Sequence, residues 1–251
     1  MHIPLATAAL AAGHVMITQQ YIQYDLTYDC KERTAIRWHY ELGHDYHVAK
    51  RPKSYHLDPT LSKTCQQTST KTYRHGYDRG HMVASEHMAN SVEARREAHY
   101  MTNIAPQISS FHHGLWQQTE AIEACYRTLD GGIESFGGLK FNETDNDLFV
   151  ESHGINTPDY WWKVITAKDT HGHAKVVAWM FPNRPDLGAL DDYLVSVETI
   201  ENQLDDGQGP IPVPSELKAS QSKSSWPILA SCYHDQGPSL ASGLAIQVTD
   251  D

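Results

Sequence analysis

Tyr77 to Ser85 reads YDRGHMVAS. A carboxylate, a guanidinium, a glycine and an imidazole stand side by side as Asp78, Arg79, Gly80 and His81, and the chain then turns apolar. An imidazole accepts a proton near neutral pH, because its ordinary pKa is about 6.5. A guanidinium grips a phosphate at two points. Held at a strand end, such a pair could deprotonate water beside an anion. Four residues of this kind also suit a solvated turn, so the argument depends on what recurs around them.

Downstream, Met101 to Glu120 reads MTNIAPQISSFHHGLWQQTE. His112, Trp116 and Glu120 fall at i, i+4 and i+8. At about 100° per residue they span roughly 80° of one helix face, presenting an imidazole, an aromatic spacer and a carboxylate. Blander readings attach to the neighbours. Asp78 would hold backbone or steady Arg79, Asn103 would be a structural hydrogen-bonder between apolar residues, and Trp116 would be core. The chain has 16 His. His44 with His47, His112 with His113, and His171 with His173 invite a zinc reading, but none carries the further Cys or carboxylate spacing of a zinc site. The first and third pairs read as surface. Tyr160–Val164, YWWKV, could stack bases, but a half-buried strand is the better use.

These groups need a frame. Tyr21–Tyr28 and Thr34–Leu42 alternate as strands do, and YDRGH has a strand-like centre between Gly76 and Gly80. SVEARREAH is a short helix. Phe111–Leu129 places Leu115, Ile122, Cys125, Tyr126 and Leu129 at helical spacing. GGIESFGGLKF, DLFVES, YWWKVITA and AKVVAWMF read as strands, and DDYLVSVETIENQL as a strand start with a helix end. Scattered strands with few helices indicate an α+β fold with one domain over 21–235. Residues 1–20 are read as a signal remnant or loose end, and 236–251 as a tail.

Composition bounds the function. The chain has 251 residues, 40% hydrophobic and 20% charged, with no apolar run long enough for a membrane span. Net charge is −11, unevenly spread: −2 over 1–29, +4 over 30–100 and −13 over 101–251. The basic excess surrounds Arg79, so a local positive field can hold a phosphate that the rest repels. Cys30, Cys65, Cys125 and Cys232 form no Cys-x-x-Cys pair. Cys30 with Cys65 and Cys125 with Cys232 could bridge, yet three pairings are open and free buried thiols are an alternative. Asn142-Glu143-Thr144 is a glycosylation sequon, meaningful only on a secretory route. A secreted or periplasmic location is expected, with an organellar one as alternative.

The combination resembles the DNA/RNA non-specific endonuclease family, a branch of the ββα-metal nucleases. Asp78-Arg79-Gly80-His81, Thr102-Asn103, Pro106-Gln107, Phe111, Gly114, Trp116 and Glu120 carry the resemblance. It implies a central antiparallel sheet with flanking helices and a ββα finger. It also implies metal-dependent, sugar-non-specific hydrolysis of DNA and RNA to 5′-phosphate ends, with contacts to backbone rather than bases and an eventual homodimer. His81 would be the general base and Arg79 the contact to the scissile phosphate. One divalent cation, magnesium or manganese, would bridge phosphate oxygens, and Glu120 would be an outer ligand through water. A second basic residue upstream would bind phosphate: spacing favours Lys53 and residue type favours Arg51.

One position departs. The family's metal-ligand asparagine is replaced by His112. Magnesium prefers hard oxygen ligands, whereas imidazole suits manganese, zinc, nickel or iron. Either His112 binds the cation, or His113 or Asn103 takes over, or the chain is an impaired nucleic-acid binder. The first is favoured because the other motif positions are intact. A zinc hydrolase of small phosphoesters is the remaining competitor.

Overall fold

The structure, a computed structural model, describes residues 15–129, 131–169, 171–230 and 232. Its strands are β1 (Met16–Gln20), β2 (Asp25–Asp29), β3 (Thr34–Leu42), β4 (Tyr77–His81), β5 (Ile104–Ile108), β6 (Ile133–Lys140), β7 (Tyr160–Lys168) and β8 (Ala174–Pro182). Six form one antiparallel sheet in the order β1-β2-β3-β6-β7-β8, and β4 pairs with β5 apart from it. The α+β expectation holds.

Both faces of the sheet are covered. Trp38, Trp116, Trp161 and Phe181 lie in one core, which also takes in Met82 and Ile104 from the β4–β5 unit. Phe136, Trp162 and Val164 lie in the other, under Val197 and Ile200. The indoles of Trp38 and Trp162 run nearly parallel, 6.3 Å apart at 14°, across the backbone of β6. Gly137 and Gly138 permit this. A Cβ on Gly137 would stand 2.0 Å from the Trp38 ring, and one on Gly138 2.5 Å from the Trp162 ring. Trp161 and Trp162 are buried on opposite faces, so YWWKV is a core strand and stacks no bases.

The helices are α1 (Val92–Glu97), α2 (Ser109–Phe111), α3 (Gln117–Tyr126), α4 (Val150–His153), α5 (Val197–Gln203) and α6 (Ser215–Lys218). A π turn over His112–Trp116 joins α2 to α3, with Gly114 at φ −105, ψ −106 inside it. The regular helix face counted from i, i+4, i+8 is therefore interrupted, since π turns widen the backbone register. DLFVES is not a strand. It ends in α4, which Gly154 closes at φ 72 with its amide on the Val150 carbonyl, a common left-handed stop. DDYLVSVETIENQL begins with a 3-10 turn at Leu190–Tyr193 and a bridge from Leu194 to Trp179, then enters α5. Met16–Gln20, read as part of the terminal segment, is a strand paired along its length with β2. The rest of that segment up to residue 14, and the tail 236–251, lie outside the described residues.

Two disulfides join Cys30 to Cys65 and Cys125 to Cys232, so the free-thiol alternative is set aside. No described helix is long and apolar enough to cross a membrane. Beneath α3 lies a buried polar knot. The Glu123 carboxylate accepts from Tyr40 and Ser135 hydroxyls, each at 2.5 Å, and from Lys163 Nζ at 2.7 Å. These contacts bind α3 to β3, β6 and β7. Burial raises the Glu123 carboxyl, but the Lys163 ammonium and the hydrogen bonds from Lys163 and Ser135 outweigh it and hold it below the usual range.

Candidate active site

β4 and β5 run antiparallel with His81 opposite Ile104 and Asp78 opposite Gln107. The pairing demands a glycine next to the imidazole: a Cβ on Gly80 would lie 2.5 Å from Gln107 Oε1. Asn103 clamps the strand exit. Its carboxamide accepts from Val83 N at 2.9 Å and donates to the carbonyls of Val83 at 2.8 Å and Ala98 at 3.0 Å. Asn103 is fully buried with its amide engaged by backbone. It positions the residues after His81 and is corrected from candidate ligand to structural clamp.

His81 is 5% exposed, and its Nε2 is sealed without a partner among the described residues. Its ring packs 5.1 Å from His99 and 5.5 Å from Tyr55. Burial, then the charges on His99, Arg51, His112 and Arg79, hold its pKa well below the ordinary value. The imidazole is therefore neutral at neutral pH, the form that can take a proton. Tyr55 is the residue that sequence reasoning missed. Its ring lies 3.9 Å under the Arg79 guanidinium and against both histidines. Arg79 Nη1 donates to the Thr70 carbonyl at 2.9 Å, which leaves its other edge for an anion. A tyrosine in a polar basic loop carries no spacing signal. Only its approach to Arg79 exposes its part.

Arg51 and Lys53 are both exposed. The positive charge of Arg51 acts on His81, His99, His112 and Glu120. Arg51 also approaches Glu86 at 3.5 Å, and Glu86 pairs with the buried Arg95.

Asp78 is drawn into the same place. Its Oδ2 lies 3.0 Å from His112 Nδ1 and 3.0 Å from His113 Nε2. Burial raises the Asp78 carboxyl, while hydrogen bonds from His112 and Ser109 and both imidazole charges bring it below its usual value. Burial lowers His112, with Asp78 opposing. Glu120 is half-buried and pushed up to about 7 by burial, with Lys163 opposing, Glu123 reinforcing and Arg51 opposing. The donors Asp78, His112 and His113 lie within 4.8 Å of one another, so a dication fits among them. Of the other histidine pairs, His47 approaches Asp45 at 3.5 Å and His173 approaches Asp169 at 3.4 Å, and neither joins a metal-sized group among the described residues. A cavity of about 360 Å³ beside β2, β3 and Arg127 contains none of the predicted site residues.

Five segments thus meet: the 51–55 loop, β4, the end of α1 through His99, the π turn, and α3. Comparison with known proteins agrees with this frame. The chain is 24% identical over 157 residues to mitochondrial endonuclease G of Bos taurus, covering 59% of this chain and 52% of that one. It is 27% identical over 222 residues to a nuclease of a Nostoc strain, covering 80% and 78%. It spans about half the length of several mitochondrial relatives it matches. A crystal structure of the EndoG/EndoGI complex superposes with TM-score 0.60 at 19% identity, over 74% of this chain and 82% of that one. The profile of DNA/RNA non-specific endonucleases matches residues 11–218, and the chain belongs to that family.

Proposed function

We propose that the protein is an endonuclease that hydrolyses phosphodiester bonds in DNA and RNA without regard to the sugar, leaving 5′-phosphate ends. The observation that carries this is the placement of His81 and Arg79 on one strand with the Tyr55 ring packed against both, and the positive charge of Arg51 acting on the same imidazole. Family membership supports the same reading, and so do relatives named as nucleases.

In this reading Arg79 and Arg51 seat the scissile phosphate through its non-bridging oxygens, and no base edge is read. His81 takes a proton from an attacking water as the water oxygen bonds to phosphorus. The bond from phosphorus to the 3′ oxygen breaks, and that oxygen leaves with a proton drawn from a water oriented by Glu120. Asp78, His112 and His113 would hold a divalent cation, which when bound supplies positive charge to the phosphate as negative charge builds there. Arg79 shares that load, with Tyr55 fixing its guanidinium. The impaired-binder alternative rests on the departure at His112 alone, while the other residues of the proposed mechanism, His81, Arg79, Arg51 and Glu120, are all present. The small-phosphoester reading has no observation in its favour.

His81→Ala tests the proposal. A general base contributes about 10²–10⁴-fold in rate, so plasmid cleavage by the variant should fall by that factor while its circular dichroism stays that of the parent. Cleavage within threefold of the parent would end the assignment.

A further inference from the structure

Taking the cleft as the nuclease site proposed above, its cation-binding part has a character of its own. His112 and His113 are sequence neighbours, and on a regular α-helix neighbours point about 100° apart and cannot address one point. Here both do. The π turn and the irregular Gly114 bring the two rings to 4.6 Å, and a nitrogen of each reaches the same Asp78 oxygen at 3.0 Å.

The two approaches differ in kind. His112 Nδ1 is aligned on Asp78 as a hydrogen bond, whereas His113 acts on Asp78 through charge at the same distance without that alignment. The second contact is an ion pair between imidazole and carboxylate. A shared cation would use all three donors at once. Ligand atoms at about 2.1 Å from a metal and 90° apart lie about 3.0 Å from each other, whereas tetrahedral ligands lie about 3.4 Å apart. Two imidazoles and one carboxylate on one octahedral face leave three positions open, enough for phosphate oxygens and water. Magnesium is a poor guest, since it keeps oxygen ligands and most of its waters.

We propose that Asp78, His112 and His113 form a facial two-imidazole, one-carboxylate site for a single divalent transition-metal ion. His113 is then a direct ligand rather than surface, and Asp78 does more than steady Arg79. Selectivity for a transition metal over magnesium follows from the nitrogen donors.

Calorimetric titration of the chelator-treated, disulfide-intact protein with Co²⁺, Mn²⁺ and Mg²⁺, without nucleic acid, tests this directly. One tight site per chain is expected, with Mn²⁺ weaker than Co²⁺ and Mg²⁺ weaker than Co²⁺ by at least about 100-fold. His113→Ala and Asp78→Asn should each weaken Co²⁺ by at least about 10-fold, and His113, 69% exposed, can be removed without touching the core. Glu134→Gln alters the second His/Glu group, His39, Glu41 and Glu134, and should leave the tight site intact. Co²⁺ affinity of His113→Ala within threefold of the parent, Mg²⁺ as tight as Co²⁺, or loss of the site in Glu134→Gln would overturn the proposal. Tight His113-dependent binding without DNA cleavage would sink the nuclease reading alone. Cleavage with His113-independent metal binding would sink this inference alone.

Discussion

Lys163→Met isolates the charge knot that seats the active-site helix. Glu123 is fully buried and Lys163 is 1% exposed. The carboxylate keeps two hydroxyl donors when the ammonium goes, but loses the full positive charge 2.7 Å away. His87 cannot replace it. Its Nδ1 lies 3.6 Å off, and burial pushes its pKa down to about 4, so it is neutral at neutral pH. Removing one partner of such a pair costs about 3–5 kcal/mol, because a bare charge is left in the interior. The ammonium also lies 4.2 Å over the Trp116 ring, a contact of about 0.5–2 kcal/mol, part of which methionine retains through packing. The expected loss is about 4 kcal/mol, a large share of the about 5–15 kcal/mol typical of a domain.

Urea unfolding followed by tryptophan fluorescence at pH 7, with disulfides intact, measures the loss. Glu123→Gln in the Lys163→Met background removes the stranded charge while keeping a hydroxyl acceptor. The double variant should recover about half the loss or more, a coupling of at least about 2 kcal/mol. A single-variant loss under about 1 kcal/mol, or strict additivity, would refute the idea that the ammonium neutralises Glu123. Glu120 and Glu123 sit on the same helix, so the single variant should lose activity along with stability.

Three further outcomes follow from named contacts. Tyr55→Leu removes the ring under Arg79, worth about 0.5–2 kcal/mol, and should lower kcat/KM roughly threefold to thirtyfold in a fluorescent oligonucleotide assay with the fold unchanged. Cys30→Ser with Cys65→Ser opens a bridge across 35 residues, worth about 4 kcal/mol in the chain-entropy account, and should lower Tm by roughly 8–16 °C in calorimetry. His87 has its pKa lowered from 6.5 to about 4, so its contribution is complete above pH 6.5 and is lost as pH falls from 6.5 to 4, where the unfolded chain binds the proton first. The full loss is about 3 kcal/mol, of which about 2 kcal/mol falls between pH 7 and pH 4.5, and His87→Gln should remove that share of the pH dependence of the urea-unfolding free energy over this range.

Strand residues announced themselves where one face meets the core. Thr34–Leu42 alternates because Trp38 and Tyr40 pack into one core while Arg37 and His39 lie on the other face against Trp162 and Phe136, and the structure has that strand at those bounds. Val150–His153 escaped because its apolar start, LFV, fits either period, and a helix of one turn declares itself only through its stop at Gly154. The site divides the same way. His81 and Arg79 were singled out from residue type and spacing, and the structure sets them on one strand where the charges of His112 and Arg51 act on the imidazole. Tyr55 and His99 were not readable, because each works by touching Arg79 or His81 from a segment with no spacing of its own. The π turn was hidden too. A helical repeat in sequence assumes a constant angle per residue, and His112–Trp116 departs from it.

Charge placement reconciles an acidic chain with a polyanionic substrate. The net charge of −11 sits mostly on residues 101–251, while 30–100 is net positive and supplies Arg51 and Arg79. At physiological salt a field decays over about 8 Å, so the acidic body is largely screened at distance and repels only what approaches it closely. In the proposed reading the two arginines would act at contact, where screening is weakest. In the proposed reading a substrate captured this way would be gripped at one or two phosphates rather than along a long basic track. Backbone contact of that extent carries no sequence information and gives up the product readily, because few ion pairs must break for it to leave. In the proposed reaction a cation held by Asp78, His112 and His113 would add to that charge, since two guanidiniums alone would face a phosphate that becomes more negative as water adds to it.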